Sequence, residues 1–278
     1  MIATSIGEWR ELVPGIHLMT CQPEAVNVGL IVGAQEAMLV DAGSTPEQGA
    51  ALLASAHARA GVPVTRVVIT HSHHDHWFGL AGMPGITSIA HEDLLSRPSA
   101  ATLAFADSIG LGVLPRPTET LSILKGVNLG DMFVEIVHFG GAHTNSDVFV
   151  LVPGANVIFA GDMLESAGDP QVDETSNIRN WATALDGVLG TTNEHTQFVP
   201  GHGDVVDRVF AFKQRAEIGM LYGNAEYLIQ QGTKLQDAAE ASEWPFTRAT
   251  LDVALPLIYA ELESRGVTPR TQLPISSL

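Results

Sequence analysis

The stretch Thr70-His-Ser-His-His-Asp-His76 constrains this chain more than any other. Four metal-capable side chains, His71, His73, Asp75 and His76, stand there in H-x-H-x-D-H order. They follow the apolar run Val67-Val68-Ile69, which reads as a buried strand. A strand that ends in imidazoles and a carboxylate delivers them to one point at a sheet edge. Imidazole and carboxylate suit Zn, Fe or Mn, and the mixture does not choose between them. The competing reading is a solvated polar loop. A lone histidine would favour it; three spaced histidines and an aspartate within six residues do not.

The chain has 278 residues, compatible with one large α/β domain or two small ones, and its 45% hydrophobic content supports a sizeable core. No apolar stretch reaches the length of a membrane span, so no transmembrane helix is expected. Met1 to Glu11 lacks a basic n-region and an apolar h-region, so no secretory signal is expected either. The single cysteine, Cys21, excludes an internal disulfide and fits a reducing compartment, which leads to the expectation of a cytoplasmic protein. Cys21 closes an apparent strand and is expected to pack in the core. With 14 Lys+Arg against 31 Asp+Glu the formal net charge is −17, a surface that repels nucleic acids and anionic membranes.

Residues 15–41 read as three strands, Gly15–Cys21, Val26–Val32 and Ala37–Asp41, with a hairpin turn at Gly33-Ala-Gln35. Thr45-Pro46 opens a helix to about Ala60. Strand 64–69, the histidine cluster, a short helix from Trp77, strand Thr87–Ala90 and helix Glu92–Ser96 continue a strand–helix alternation. Pro98, Gly110, Gly112, Pro115 and Pro117 break up 97–120, which reads as a mobile or ligand-covering segment. Strands are expected at Leu121–Leu124, Met132–Phe139, Val148–Val152, Val157–Ala160 and Gln197–Pro200, with a helix at Asn177–Leu189. From Val205 the pattern is helical, over about 206–231, 234–242 and 247–264, and the tail 266–278 reads as loosely packed.

His143, Asp162 and His202 each sit in a glycine-flanked turn after an apolar strand. Each alone is weak, but their recurrence downstream of the first cluster is hard to produce by accident. Taken with Leu39-Val-Asp41-Ala-Gly43, Gly140-Gly-Ala-His143-Thr144, Phe159-Ala-Gly161-Asp162 and Val199-Pro-Gly-His202-Gly203, the chain resembles the metallo-β-lactamase superfamily of hydrolases over about 39–203. The resemblance implies an α/β fold, a four-layer αβ/βα sandwich, as a single domain with its core over about 12–204 and extra C-terminal helices over about 205–265. It implies two divalent metal ions, Zn first and Fe or Mn as alternatives. His71, His73 and His143 would hold one ion, and Asp75, His76 and His202 the other. Asp162 would bridge them, and Asp41 would steady the ligand loop from behind. His74 has no matching role and is expected to pack.

The resemblance further implies cleavage of an ester, thioester, lactone or lactam by a metal-bridging hydroxide, with Asp75 as the catalytic proton carrier. The substrate would be a small acyl compound, neutral or weakly charged. In the β-lactamases proper the position of Asp162 is Cys or Ser, whereas an aspartate resembles the thioesterase, lactonase and glyoxalase II groups. The tyrosine that lactonases place three residues later is here Glu165. Glyoxalase II enzymes grip a carboxylate with Lys and Arg, for which this chain's central region offers Arg97, Arg116, Lys125 and Arg179. The competing reading from another class is a mononuclear iron dioxygenase of the persulfide dioxygenase type, which leaves His76 and His202 unused. A binding protein that lost its activity is a third. Met220, Leu221, Tyr222, Trp244 and Phe246 on the C-terminal helices could wall the pocket, but such stripes are usually core.

Overall fold

The computed structural model describes residues 3–269; most of the tail expected to be loose lies outside them. The period-2 alternation read along the sequence is realised as two sheets. The first contains β1 (Ser5–Ile6), β2 (Arg10–Val13), β3 (Ile16–Gln22), β4 (Val26–Val32), β5 (Ala37–Val40), β6 (Val64–Val68), β7 (Thr87–His91) and β8 (Glu119–Leu121). Its order is β1-β3-β4-β5-β6-β7-β8, with β2 also pairing β3. β5 to β8 run parallel, as their helical and loop crossovers require. The second sheet contains β9 (Leu124–Asn128), β10 (Phe133–Val137), β11 (Phe149–Val152), β12 (Val157–Gly161), β13 (Gln197–Pro200) and β14 (Val206–Asp207), in the order β14-β13-β12-β11-β10-β9.

Three apolar clusters separate four layers. Between the sheets, Ile16, Leu18, Ile31, Met38, Val40 and Val68 meet Val134, Ile136, Val148, Val150, Phe159 and Val199. The alternate residues of the same strands face outwards. Met19, Cys21 and Leu39 pack under α1 (Pro46–Ala60), and Val137, Phe149 and Leu151 pack under α4 (Ile178–Leu189), α5 (Arg208–Gln230) and α7 (Arg248–Ser264). Gly29 marks where the sheets approach most closely: a Cβ there would fall 2.3 Å from the Phe159 ring. The fold is therefore α/β, a sandwich of two sheets with helices on both outer faces. Among the described residues no helix is long and apolar enough to cross a membrane.

Two assignments along the chain need correcting. Glu92–Ser96 is a run of turns, and the helix of this region, α3, spans Ala100–Ser108 inside the segment read as irregular. Its start has a physical cause, since the Ser99 hydroxyl accepts from the Thr102 N–H at 3.2 Å and caps the first turn. The strand read at Leu121–Leu124 is two strand ends: β8 closes the first sheet, β9 opens the second, and the chain changes sheets between them. Between β6 and β7, the four-residue helix α2 (His74–Trp77) carries part of the histidine cluster. α6 is short, Leu235–Ala238. Leu221 is buried under α5, and Tyr222, Trp244 and Phe246 pack on the same cluster, while Met220 is exposed. The aromatic residues there are core, not pocket wall. His74 stacks on Phe105 with ring centroids 3.9 Å apart.

Candidate metal centre

The two sheets are stitched together at the ends of β4, β6, β12 and β13, and the cluster lies at that seam. The Val148 N–H donates to the Thr70 carbonyl at 2.8 Å, and the Asn27 N–H donates to the Gly201 carbonyl at 2.7 Å. The Asn27 side-chain amide donates to the Pro200 and Gly203 carbonyls at 3.0 and 2.8 Å, tying the His202 turn to β4. Gly161 has φ +52°, and a Cβ there would lie 2.8 Å from the Thr70 hydroxyl, so only glycine lets Asp162 leave the strand this close to the His71 turn.

All seven proposed ligands converge. His71, His73, His143 and Asp162 form one group and Asp75, His76 and His202 a second, each with its candidate ligand atoms within 4.8 Å of one another. Asp162 reaches both groups: its carboxylate lies 3.6 Å from His71 Nε2 and 3.9 Å from His143 Nε2, and 3.1 Å from His76 Nε2 and 3.6 Å from His202 Nε2. Asp75 Oδ2 stands 3.3 Å from His202 Nε2 and 3.6 Å from His76 Nε2. All are buried except His73, which is partly exposed.

Three of the imidazoles are oriented from behind. His76 Nδ1 donates to Asp41 at 2.7 Å, His202 Nδ1 donates to the Glu24 carbonyl at 2.9 Å, and His71 Nδ1 faces the Thr70 hydroxyl at 3.0 Å. That leaves the Nε2 of all three turned towards Asp162, the arrangement in which outer hydrogen bonds hold metal-binding rings. Asp41 itself is a non-glycine residue at φ +67°, and it also accepts from the Thr70 N–H and hydroxyl at 2.7 and 2.9 Å. The strained backbone is repaid by three donors on one carboxylate.

Sequence reasoning missed three acidic residues. Asp173 accepts from His73 Nε2 at 2.9 Å across a separation of 100 residues, and no sequence signal marks it. Asp147 closes the turn that carries His143, accepting from the Ala142 N–H at 3.0 Å, the Thr144 N–H at 2.9 Å and the Thr144 hydroxyl at 2.8 Å. The run His-Thr-Asn-Ser-Asp could have flagged it as an aspartate turn. Glu165 is buried beside the cluster, with its backbone gripped on both sides by the Gln214 amide of α5.

Charge differs across the cluster. Burial and the neighbouring His76 hold His71 well below the usual imidazole range. Burial would lower His76 as well, but Asp162, Asp41 and Asp75 override it and hold that ring well above its ordinary value. His202, against the pull of burial, is pushed up to about 11 by Asp162 and Asp75. His143 is raised, with Asp147 and Asp162 outweighing burial. Burial would raise both Asp75 and Asp162, and the surrounding imidazoles instead hold both below the carboxylate range.

The donor set fits divalent cations. His71 Nε2, His143 Nε2 and Asp162 Oδ1 are buried without a hydrogen-bond partner among the described residues, a cost that native structures rarely carry unanswered. Ligation would satisfy all three. A cavity of about 630 Å³ opens beside the turn that holds His143, lined by Arg97, Thr175, Ser176, Asn177, Arg179 and Glu261 among others. Ser176 links the two by donating to the His143 carbonyl at 2.8 Å. Lys125 instead pairs with Glu119 at 2.9 Å.

Comparison with known proteins agrees with this architecture. The family model described as the metallo-beta-lactamase superfamily matches residues 21–204. The chain is 26% identical over 147 residues to a metallo-beta-lactamase type 2 of Bacillus cereus, covering 52% of this chain and 54% of that protein. It is 28% identical over 135 residues to one of Bacteroides fragilis, covering 47% and 51%. It thus spans about half the length of these relatives. Solved structures with the same fold include a metallo-beta-lactamase from Pontibacter korlensis, with TM-score 0.61, 19% identity and coverage of 76% of this chain and 98% of that one. Another comes from Erythrobacter litoralis, with TM-score 0.60, 19% identity and coverage of 76% and 94%. The sandwich, the turns that end its strands and the family match over 21–204 lead to one conclusion: this chain belongs to the metallo-beta-lactamase superfamily.

Proposed function

We propose that the protein is a dinuclear metal-dependent hydrolase acting on a small acyl substrate, with a lactone or thioester preferred over a β-lactam. The observation that carries it is the single carboxylate of Asp162 within 3.9 Å of imidazoles from both ligand groups. His71, His73 and His143 would hold one ion, Asp75, His76 and His202 the other, and Asp162 would touch both. Zinc is the first choice on the family resemblance, with iron or manganese next, since imidazole and carboxylate donors suit all three. Bound there, the ions would supply water activated at neutral pH and positive charge for a developing oxyanion.

The chain's own groups do the rest. The sheets and the Asp41, Asp147 and Asp173 contacts fix the rings before substrate arrives, so little reorganisation remains for the reaction itself. Asp75 is ionised and faces His76 and His202 with the same oxygen. In this reading it would take the proton of the attacking water and return it to the leaving group. The cavity beside Ser176 is large enough for a small acyl compound, neutral or weakly charged, and Arg97 and Arg179 could meet one anionic substituent there.

The buried meeting of Asp75, His76 and His202 favours this reading over a mononuclear iron dioxygenase, which would leave His76 and His202 without a role. Metal analysis on purified protein, beside a panel of lactones, thioesters and β-lactams, tests it. Two ions per chain with lactone or thioester turnover is the expected result. One iron per chain with oxygen consumed during turnover would replace the proposal with the oxygenase. Efficient penicillin or carbapenem hydrolysis with inert lactones and thioesters would reverse the substrate preference.

A further inference from the structure

α5 is the longest helix among the described residues, 23 residues from Arg208 to Gln230. Its inner face, Ala211, Gln214, Ile218, Leu221, Ala225 and Leu228, is buried. Its outer face is unusual for a water-facing surface. The exposed positions are Val209, Phe212, Lys213, Ala216, Met220, Gly223 and Tyr227, spaced three and four apart along one side of the helix. Val209 is 73% exposed, Met220 53% and Tyr227 59%. Lys213 is the one charge among them, and it pairs with Glu217 of the same helix at 3.4 Å. A chain with net charge −17 thus leaves a helix-long, nearly uncharged apolar stripe in water.

The edge of the stripe says what covers it. Arg208 and Glu226 flank the same side, about five helical turns apart. Neither makes an ion pair among the described residues. Arg208 lies over the Phe212 ring at 4.7 Å and donates to the Thr192 hydroxyl at 2.7 Å, and Glu226 accepts from Gln230 at 3.3 Å. When two copies of α5 cross antiparallel about a two-fold axis near Glu217, Arg208 of each copy falls opposite Glu226 of the other. Val209 then meets the end of the stripe that carries Tyr227, and Ala216 at the crossing lets the two backbones approach. A self-complementary patch of this kind is what a two-fold interface requires.

We propose that the exposed face of α5 is a homodimer interface, with two α5 helices packed antiparallel and Arg208 paired with Glu226 across the dyad. The face also brings Arg208 and Lys213 to the contact between two strongly acidic chains. A single helix about 34 Å long offers less than the roughly 800 Å² per partner of a standard interface, so the dimer is reversible, not permanent. A membrane surface is the poorer occupant, because interfacial helices rely on Lys and Arg along their polar face and on anionic lipid.

Sedimentation velocity on the full, metal-loaded chain across a concentration series tests this. A monomer–dimer equilibrium is expected. Met220→Glu, which touches no buried residue class, should weaken it by about tenfold or more, the size of one well-placed interface contact, with the circular dichroism spectrum and Tm unchanged. Arg208→Glu and Glu226→Arg should each weaken it, and the double variant should recover it. Both swaps suit the helix dipole, so neither should unfold α5. A monomer at every concentration overturns the proposal, as does a dimer indifferent to Met220→Glu or a double variant that fails to recover. Co-sedimentation of the monomer with phosphatidylcholine vesicles in place of self-association overturns it as well.

Discussion

His71 and His76 stand in one loop and both are wholly buried, yet they are driven in opposite directions. The difference lies in what each ring faces from behind. His71 Nδ1 meets a neutral hydroxyl, that of Thr70, and His76 Nδ1 meets the carboxylate of Asp41. Around His71 the dominant effect is lost hydration, which disfavours charge. Around His76 three carboxylates outweigh it. One half of the cluster therefore holds one imidazole already neutral, His71, beside the raised His143. In the other half both imidazoles, His76 and His202, hold protons that a cation must displace, so its loading is the more pH-sensitive. The His202 ion pairs show the sign. They stabilise the metal-free fold fully below the ordinary value of 6.5, and that stability is lost as pH rises through about 11.

Four experiments break or sharpen this contrast. Asp162→Ala has the largest expected effect, because its carboxylate is the link between the halves. Turnover should fall by several orders of magnitude and one ion per chain should be lost while the circular dichroism spectrum persists. Wild-type turnover in that variant would remove Asp162 from the site. Asp75→Asn probes the proton-holding half alone. It should cost about 10²–10⁴-fold in kcat, the usual worth of general acid–base catalysis, with metal content largely kept. A loss only in proportion to lost metal would make Asp75 a ligand and nothing more.

Asp173→Asn probes the other half. Burial would raise its carboxylate, but His73 and the Thr175 hydrogen bonds together outweigh it and hold the group below the usual range. The substitution should weaken one ion by about 10–100-fold and leave the second untouched, as read by competition with a chelator. Equal loss of both ions would show that the halves are not separable. The smallest effect is on stability. Burial, with the Asp162 charge adding to it, raises Glu165 from 4.5 to about 7. Its contribution in metal-free protein is present below 4.5 and lost as pH rises through about 7. Glu165→Gln should therefore be the more stable chain at about pH 8.5, by at most about 3 kcal/mol, and nearly equal to wild type at about pH 4. Thermal melts at the two values that show no crossover would place the Glu165 carboxyl in a more polar setting.

The sequence revealed those parts of the molecule whose cause is local. The unbroken apolar run Phe149-Val-Leu-Val152 marks a strand buried on both faces, and Thr45-Pro46 caps a helix through contacts within one turn. The residues brought together at the seam were legible because each follows an apolar strand, four of them in one dense cluster and the other three in glycine-flanked turns. Asp173 and Asn27 were illegible, since their partners lie 100 and more than 170 residues away and nothing nearby in sequence distinguishes them from surface polar residues. The helix at Ala100–Ser108 was obscured by prolines on either side, although the Ser99 cap after Pro98 was there to be read. The sheet switch between Leu121 and Leu124 follows from which strands each end pairs with, and that is decided by tertiary packing.

Gly201 draws a boundary for anyone wishing to redesign this protein. A Cβ at that position would come within 1.8 Å of Asp162 Oδ1 and 2.9 Å of His76 Cε1. Even alanine there would push on the carboxylate that joins the two halves. A mutant library that varied Gly201 would spend its diversity on chains with a displaced bridge. Arg97, Asn177, Arg179 and Glu261 line a cavity instead of buttressing a ligand, so diversity placed there could change selectivity and leave the seam intact.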